Sequence, residues 1–197
     1  MSAQTTYKFS MTKGAAGGIF DLAPYEVNAF SNEENTGDLT FGMGVVTGTK
    51  AGITVALPSA NTDVFEGVVT NRRTTERDLE GGLSLRKNAT VGVMRYGRIF
   101  VKLAAGEAPA YGDAVYLIYT GTGAGCFSKS STNAIAINAK FIGSAENGVA
   151  PIELVNGAIG GGSEYELPKA SATVLGGVKI GTGLEIDANG VLNVNAG

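Results

Sequence analysis

The sequence predicts an all-β protein: a small β-barrel or sandwich, followed by a Gly-rich linker and a short β-hairpin tail. Three observations carry this. Several short segments alternate apolar and polar residues, as a sheet with one buried side requires. Glycine is abundant, with 30 copies and no collagen-like period, and it falls between those segments as turns would. No long stretch repeats apolar residues at i, i+3, i+4 and i+7, so helix signals are weak.

The expected strands run in order. Leu39 to Val46, Ile53 to Leu57, Phe65 to Thr70 and Thr90 to Met94 come first. From Arg98 to Leu103, Ile99, Val101 and Leu103 share one face, and Arg98, Phe100 and Lys102 the other. Val115 to Tyr119 is a continuous apolar run and is expected to be the most central strand. From Ile135 to Phe141, Ile135, Ile137, Ala139 and Phe141 alternate with polar positions, and Ile152 to Val155 closes the set. Asn71 to Glu80 is polar and reads as a loop with a turn of helix at most. Many short strands at this spacing point to a barrel or sandwich.

Three regions follow: a domain over residues 1–156, a linker over 157–166 and a tail over 167–197. The linker contains Gly160-Gly161-Gly162. In the tail, Asn189-Gly190 separates Leu184-Glu185-Ile186 from Val191-Leu192-Asn193-Val194, the pattern of a tight hairpin. About 30 residues without Cys or His cannot form a core alone, so the tail is expected to depend on partner chains. Leu175, Val178, Ile180, Leu184 and Ile186 are its candidate self-association residues.

Composition excludes much chemistry. Histidine is absent, which removes the commonest acid–base and metal-binding side chain. Cys126 is the only cysteine, and its neighbours Gly125 and Phe127 add no activating charge. A net charge of −3 offers no general attraction to nucleic acid or an anionic membrane. No apolar run approaches the ~20 residues that span a bilayer. Met1 to Ser10 lacks the apolar core of a secretion signal, so the expectation is a protein that stays in the cytosol until it joins an assembly.

Individual motifs point the same way. Gly14-Ala15-Ala16-Gly17-Gly18 lacks the Lys-Ser/Thr of a phosphate loop and reads as a loop with close backbone packing. Asp187-Ala188-Asn189-Gly190 lacks the late Glu of a calcium loop. Glu33-Glu34, and Asp78 with Glu80, have no adjacent aromatics to stack a sugar and read as solvated loop faces. Arg72, Arg73, Arg77, Arg86 and Lys87 interleave with Glu76, Asp78 and Glu80. This pattern suits either a salt-bridged loop or a protein contact, and its mixed signs disfavour nucleic acid. Tyr96, Tyr111, Tyr116 and Tyr119 suit core or subunit interface. Neither enzymatic activity, a cofactor nor a metal is expected.

Two stretches resemble known families. Met11-Thr12-Lys13-Gly14 through Ile19-Phe20-Asp21-Leu22-Ala23, Asn32-Glu33-Glu34, Phe41-Gly42-Met43-Gly44, Phe65-Glu66-Gly67-Val68-Val69, Gly92 to Ile99, Tyr111-Gly112-Asp113 and Phe141-Ile142-Gly143 resemble phage structural cement proteins in order and spacing. Leu167-Pro168 through Val174-Leu175-Gly176-Gly177-Val178 to Leu184 resembles a segment of phage head-fibre and tail-fibre proteins, which is usually homotrimeric.

The resemblance implies a virion protein on the outer capsid surface, present in the host cytoplasm during assembly. It would bind the major capsid protein, stabilise contacts between capsomers against packaged DNA, and associate with itself as a homotrimer or alternatively a dimer. Lys13, Gly14, Gly17, Gly18 and Ile19 are the first candidates for the capsid contact, with Arg72 and Arg73 second. A virion-displayed adhesin or glycan-binding module is the alternative expectation. It ranks second because no long fibre domain follows in this sequence.

Overall fold

A computed structural model describes residues 14–71 and 84–155, together with the backbone of two short strands at 184–186 and 192–194. The chain divides into two compact units, Met1–Gly161 and Gly162–Gly197. The first unit is all-β, as the sequence predicts. Its strands are β1 (Glu26–Asn32), β2 (Gly44–Thr47), β3 (Thr54–Ala56), β4 (Phe65–Val69), β5 (Thr90–Lys102), β6 (Ala114–Ile118), β7 (Phe127–Ser128), β8 (Ala134–Phe141) and β9 (Val149–Leu154).

Five strands close into a barrel in the order β1-β3-β2-β4-β5 and back to β1. Only the β1–β3 pair is parallel. The second half of β5 leaves the barrel and starts an antiparallel sheet, β5-β9-β8-β6-β7. That sheet curls back until Phe127 bridges Leu103, just past the end of β5. Closure of this kind removes the open edges that would otherwise pair with other chains.

The two-sided burial of β4 follows from this arrangement, and all five of its residues are buried. Val69, with Val45, Val93, Val55 and Phe30, fills the barrel. Val68, with Val46, Phe65 and Met94, packs instead against Leu117, Phe127, Ile135 and Ile152 of the second sheet. Alternate residues of one strand thus enter different cores. Gly44 allows the close approach, because a Cβ there would lie 2.5 Å from Leu117 Cδ1 and 2.9 Å from the Phe127 ring.

Several expectations are corrected. Thr90–Met94 and Arg98–Lys102 belong to one 13-residue strand, which ends one residue before the expected Leu103. Gly97, at φ +117°, bends the strand between the two sheets instead of ending it. The central strand is therefore β5, which pairs with β1, β4 and β9, and not Val115–Tyr119. Outward-facing Tyr116 and Ile118 are only half-buried. Leu39 to Val46 is a strand only from Gly44, since Gly37 and Gly42 have positive φ and turn the chain. Leu39 is nonetheless fully buried. The strands β1 and β7 were not anticipated. The alternation expected in Ile135 to Phe141 holds, with Ile135 and Phe141 buried and Ala136, Asn138 and Lys140 exposed.

In the second unit β10 (Leu184–Ile186) pairs antiparallel with β11 (Leu192–Val194), in a register joining Leu184 to Val194 and Ile186 to Leu192. This is the pairing that the Asn189-Gly190 pattern predicts. The turn itself lies outside the described residues, as do the linker and Leu175, Val178 and Ile180.

Candidate interaction surface

The segment from Gly14 to Phe20 lies along the free edge of β5. Gly17 N–H donates to Phe100 O at 2.7 Å, Phe100 N–H to Gly18 O at 2.9 Å, and Phe20 N–H to Arg98 O at 2.9 Å. Its glycines allow the fit. A Cβ on Gly17 would lie 2.6 Å from Asn71 N, and one on Gly14 would lie 2.5 Å from the Phe100 ring. Phe20 stacks at a tilt on Phe100, with ring centroids 5.4 Å apart. Phe100 belongs to the outer face of β5, as its alternation predicts, yet it is buried because this segment covers it.

Asn71 N–H donates to Gly17 O at 2.7 Å. The two candidate contact segments, the N-terminal glycines and the stretch beginning at Arg72, are therefore tied together at one point of the body. Lys13, Arg72 and Arg73 themselves lie outside the described residues. So do Arg77, Asp78 and Glu80. Gly17 and Gly18 are engaged in backbone hydrogen bonds within their own chain and Gly14 lies close to the Phe100 ring, whereas Ile19 is 42% exposed.

Beyond Phe20 a charged ladder crosses the outer face of the second sheet. Arg98 Nη1 donates to Asp21 Oδ2 and Arg98 Nε to Glu153 Oε1, each at 2.8 Å. Lys140 Nζ lies 3.0 Å from Glu153 Oε2. Strand register creates the row, because Glu153 of β9 faces Arg98 of β5 on one side and Lys140 of β8 on the other. The Arg98 hydrogen bond, aided by Ala23 N–H, holds the Asp21 carboxyl below its ordinary pKa. Lys140 and then Arg98 do the same for Glu153. Arg98 is raised by Asp21 and Glu153, and Lys140 by Glu153.

Around this ladder large apolar side chains are exposed: Leu22 at 99%, with Phe20, Tyr25, Tyr96 and Val155. Beside them lies a cleft of about 350 Å³, walled by Ala23, Pro24, Tyr96, Gly97, Leu154 and Val155 together with Arg98 and Glu153 of the ladder. Gly97 lets Tyr25 close in, since a Cβ there would be 2.6 Å from Tyr25 Cβ. Sequence reasoning missed this surface, because Leu22 and Tyr25 sit in a segment with no period.

Other carboxylates are structural. Glu33 accepts hydrogen bonds from Thr49 N–H at 3.0 Å and from the Thr49 hydroxyl, and these bonds lower its pKa. Glu34 Oε1 accepts from Leu57 N–H at 2.8 Å. They tie loops to the barrel and are not the solvated faces expected. Cys126 is buried, which raises its thiol pKa, with the Lys102 charge a smaller opposing effect. Among the described residues no His, Cys, Asp and Glu side chains cluster as metal ligands, and no helix is long and apolar enough to cross a membrane.

Closed sheets around two apolar cores define an all-β class of protein. The chain belongs to the phage structural cement protein family (E217 gp24/Pam3 gp6), whose profile matches residues 3–155. This family is not a class of enzyme. Among solved structures, a chain of the capsid of Myoviridae phage XM1 shares the fold with a TM-score of 0.61 at 19% identity, covering 78% of this chain and 98% of that one. No curated protein matches the sequence.

Proposed function

We propose that the protein binds the outer surface of a phage capsid and stabilises the contacts between capsomers, with the major capsid protein as its partner. The observation that carries this reading is the tie between Gly17 and Asn71. It anchors the segment bearing Lys13 and the segment bearing Arg72 and Arg73 at one place on a rigid body. Arginine suits such a contact because its planar fork pairs bidentately with carboxylates. Anchoring both segments to one support lowers the ordering cost of a joint contact. Many copies on one shell would then reinforce weak individual contacts.

The test adds purified protein to shells lacking it and measures occupancy and resistance to heat. Arg72→Glu with Arg73→Glu is expected to reduce occupancy at least tenfold while the thermal melt of the free protein stays in place. Unchanged occupancy would overturn the assignment. Removal of residues from Glu166 onward is expected to leave occupancy intact. Loss of shell binding from a truncated protein that remains folded would instead place the contact in the tail.

A further inference from the structure

We propose that the cleft beside Tyr96 binds a neutral saccharide, with the Tyr96 ring against a sugar face and with Arg98 and Glu153 meeting its hydroxyls. The cleft of about 350 Å³ joins Tyr96, Pro24, Leu154 and Val155 to this charged pair. Ligand sites run from about 300 to 1,000 Å³, so this one suits a single sugar unit or the end of a glycan. Mixed walls match a pyranose, which has apolar C–H faces and a rim of hydroxyls. Tyr96 is 42% exposed and Tyr25 50%, and Gly97 in the cleft wall admits Tyr25 closely. An aromatic face is negative and attracts the positive ends of C–H bonds, so a sugar stacks on it. Tyr96 and Arg98 stand two residues apart on β5, and Glu153 faces Arg98 from β9. The sequence separates its aromatics from its carboxylates, and the fold gathers both here.

The charged pair suits adjacent hydroxyls. Arg98 Nε lies 2.8 Å from Glu153 Oε1, so a donor and an acceptor stand side by side. Of two neighbouring hydroxyls, one accepts from the guanidinium while the other donates to the carboxylate. Capacity remains for both. Arg98 commits two of its five N–H donors to Glu153 and Asp21, and its side chain is 39% exposed. Glu153 receives Arg98 and Lys140, and an ionised carboxylate offers about four acceptor positions. These ion pairs also fix both side chains before a ligand arrives, which lowers the ordering cost of binding. Charge selects a neutral sugar. Asp21 and Glu153 balance Arg98 and Lys140, and Glu26 adds a carboxylate across from Tyr96. An acidic sugar or a phosphate meets no excess positive charge there. The site binds without cleaving. Arg98 holds Asp21 ionised, and Lys140 with Arg98 holds Glu153 ionised, whereas glycoside cleavage needs a protonated acid.

On a shell, such a site would give the particle many weak holds on a glycan-bearing surface. That role rests on the capsid reading above, but sugar binding is measured on the free full-length protein, so the two fail separately. Backbone amide shifts are followed while the methyl glycosides of glucose, galactose, mannose and N-acetylglucosamine are added one at a time. Glucuronic acid and inorganic phosphate serve as acidic probes. At least one neutral sugar is expected to give saturable shifts centred on Tyr96 to Arg98 and Glu153 to Val155. Tyr96→Ala is expected to weaken that sugar about tenfold or more, while Tyr96→Phe, which keeps the stacking face, retains it. Val155→Trp fills the cleft from a position that is 43% exposed and is expected to abolish binding with the thermal melt unchanged. It keeps the test decisive if Tyr96→Ala fails to fold. The absence of saturable shifts with every neutral sugar, shifts centred elsewhere, tighter binding of an acidic probe, or full affinity in Tyr96→Ala or Val155→Trp overturns the inference.

Discussion

Arg98 and Glu153 face each other across β5 and β9, with Nε 2.8 Å from Oε1, and the same guanidinium reaches Asp21 at 2.8 Å. One side chain thus joins the sheet to the turn that presents Leu22. Its effect depends on pH with a definite sign. Asp21 and Glu153 have folded pKa values below their unfolded ones, which are about 4. Their contribution is complete above that unfolded range and is lost as pH falls through the folded values. Amide exchange at Gly17 to Phe20 is therefore expected to accelerate between pH 5 and pH 2 relative to the barrel strands. Arg98→Gln should show the faster exchange already at pH 7. An identical exchange profile for the variant would show that the ladder does not hold the segment. Because these groups are solvent-accessible, 1 M salt should weaken the effect.

Gly67 has φ +149°, and a Cβ there would lie 2.3 Å from Met94 O and 2.7 Å from Val93 Cγ1. The obstruction includes backbone of the neighbouring strand, which cannot rotate away. Gly67→Ala is expected to destabilise the first unit by about 2 kcal/mol or more, read as a lower denaturant midpoint. Gly106, where nothing lies within 4 Å of a Cβ, is the control for positive φ alone.

Phe127 is fully buried and meets Phe65 edge-on, with ring centroids 6.5 Å apart. Its removal opens a cavity where the second sheet meets the barrel. Phe127→Ala should cost ~3–5 kcal/mol, measured by urea unfolding. Full retention of stability would mean that the two cores do not depend on this contact.

Asn32 is fully buried and donates to Arg86 O at 3.0 Å while accepting from Glu34 N–H at 3.0 Å. Asn32→Ala strands both partners and should cost ~1–3 kcal/mol. Asn32→Asp should be no better, since a carboxylate cannot donate to Arg86 O.

Cys126 is 6% exposed and its thiol is held protonated by burial. A thiol reagent at pH 8 should label it slowly in the native protein and rapidly in denaturant. Rapid native labelling would show that the loop before β7 opens locally.

Some of this was legible in residue order. Alternation in Arg98 to Leu103 and Ile135 to Phe141 assigned the correct faces, because a one-residue shift would place Ile99 or Ile135 in water. Asn147-Gly148 carries the same hairpin signal as Asn189-Gly190. The structure places both residues at positive φ, between Glu146 and Val149, which pair. The surface around Leu22 left no such trace, because it is assembled from an irregular turn, a strand bend at Gly97 and the end of β9.

The sequence by itself determined an all-β, glycine-punctuated chain without histidine chemistry, since side-chain period and missing functional groups are local properties. Its resemblance to cement proteins was legible too, in the order of short motifs. Tertiary structure alone decided that β5 serves two sheets, that the N-terminal glycines close its edge, and that Arg98 links Asp21 to Glu153. These depend on residues distant in the chain meeting at fixed register. Backbone hydrogen bonds and packing select that register, and outside tight hairpins no local pattern encodes which strands will be neighbours.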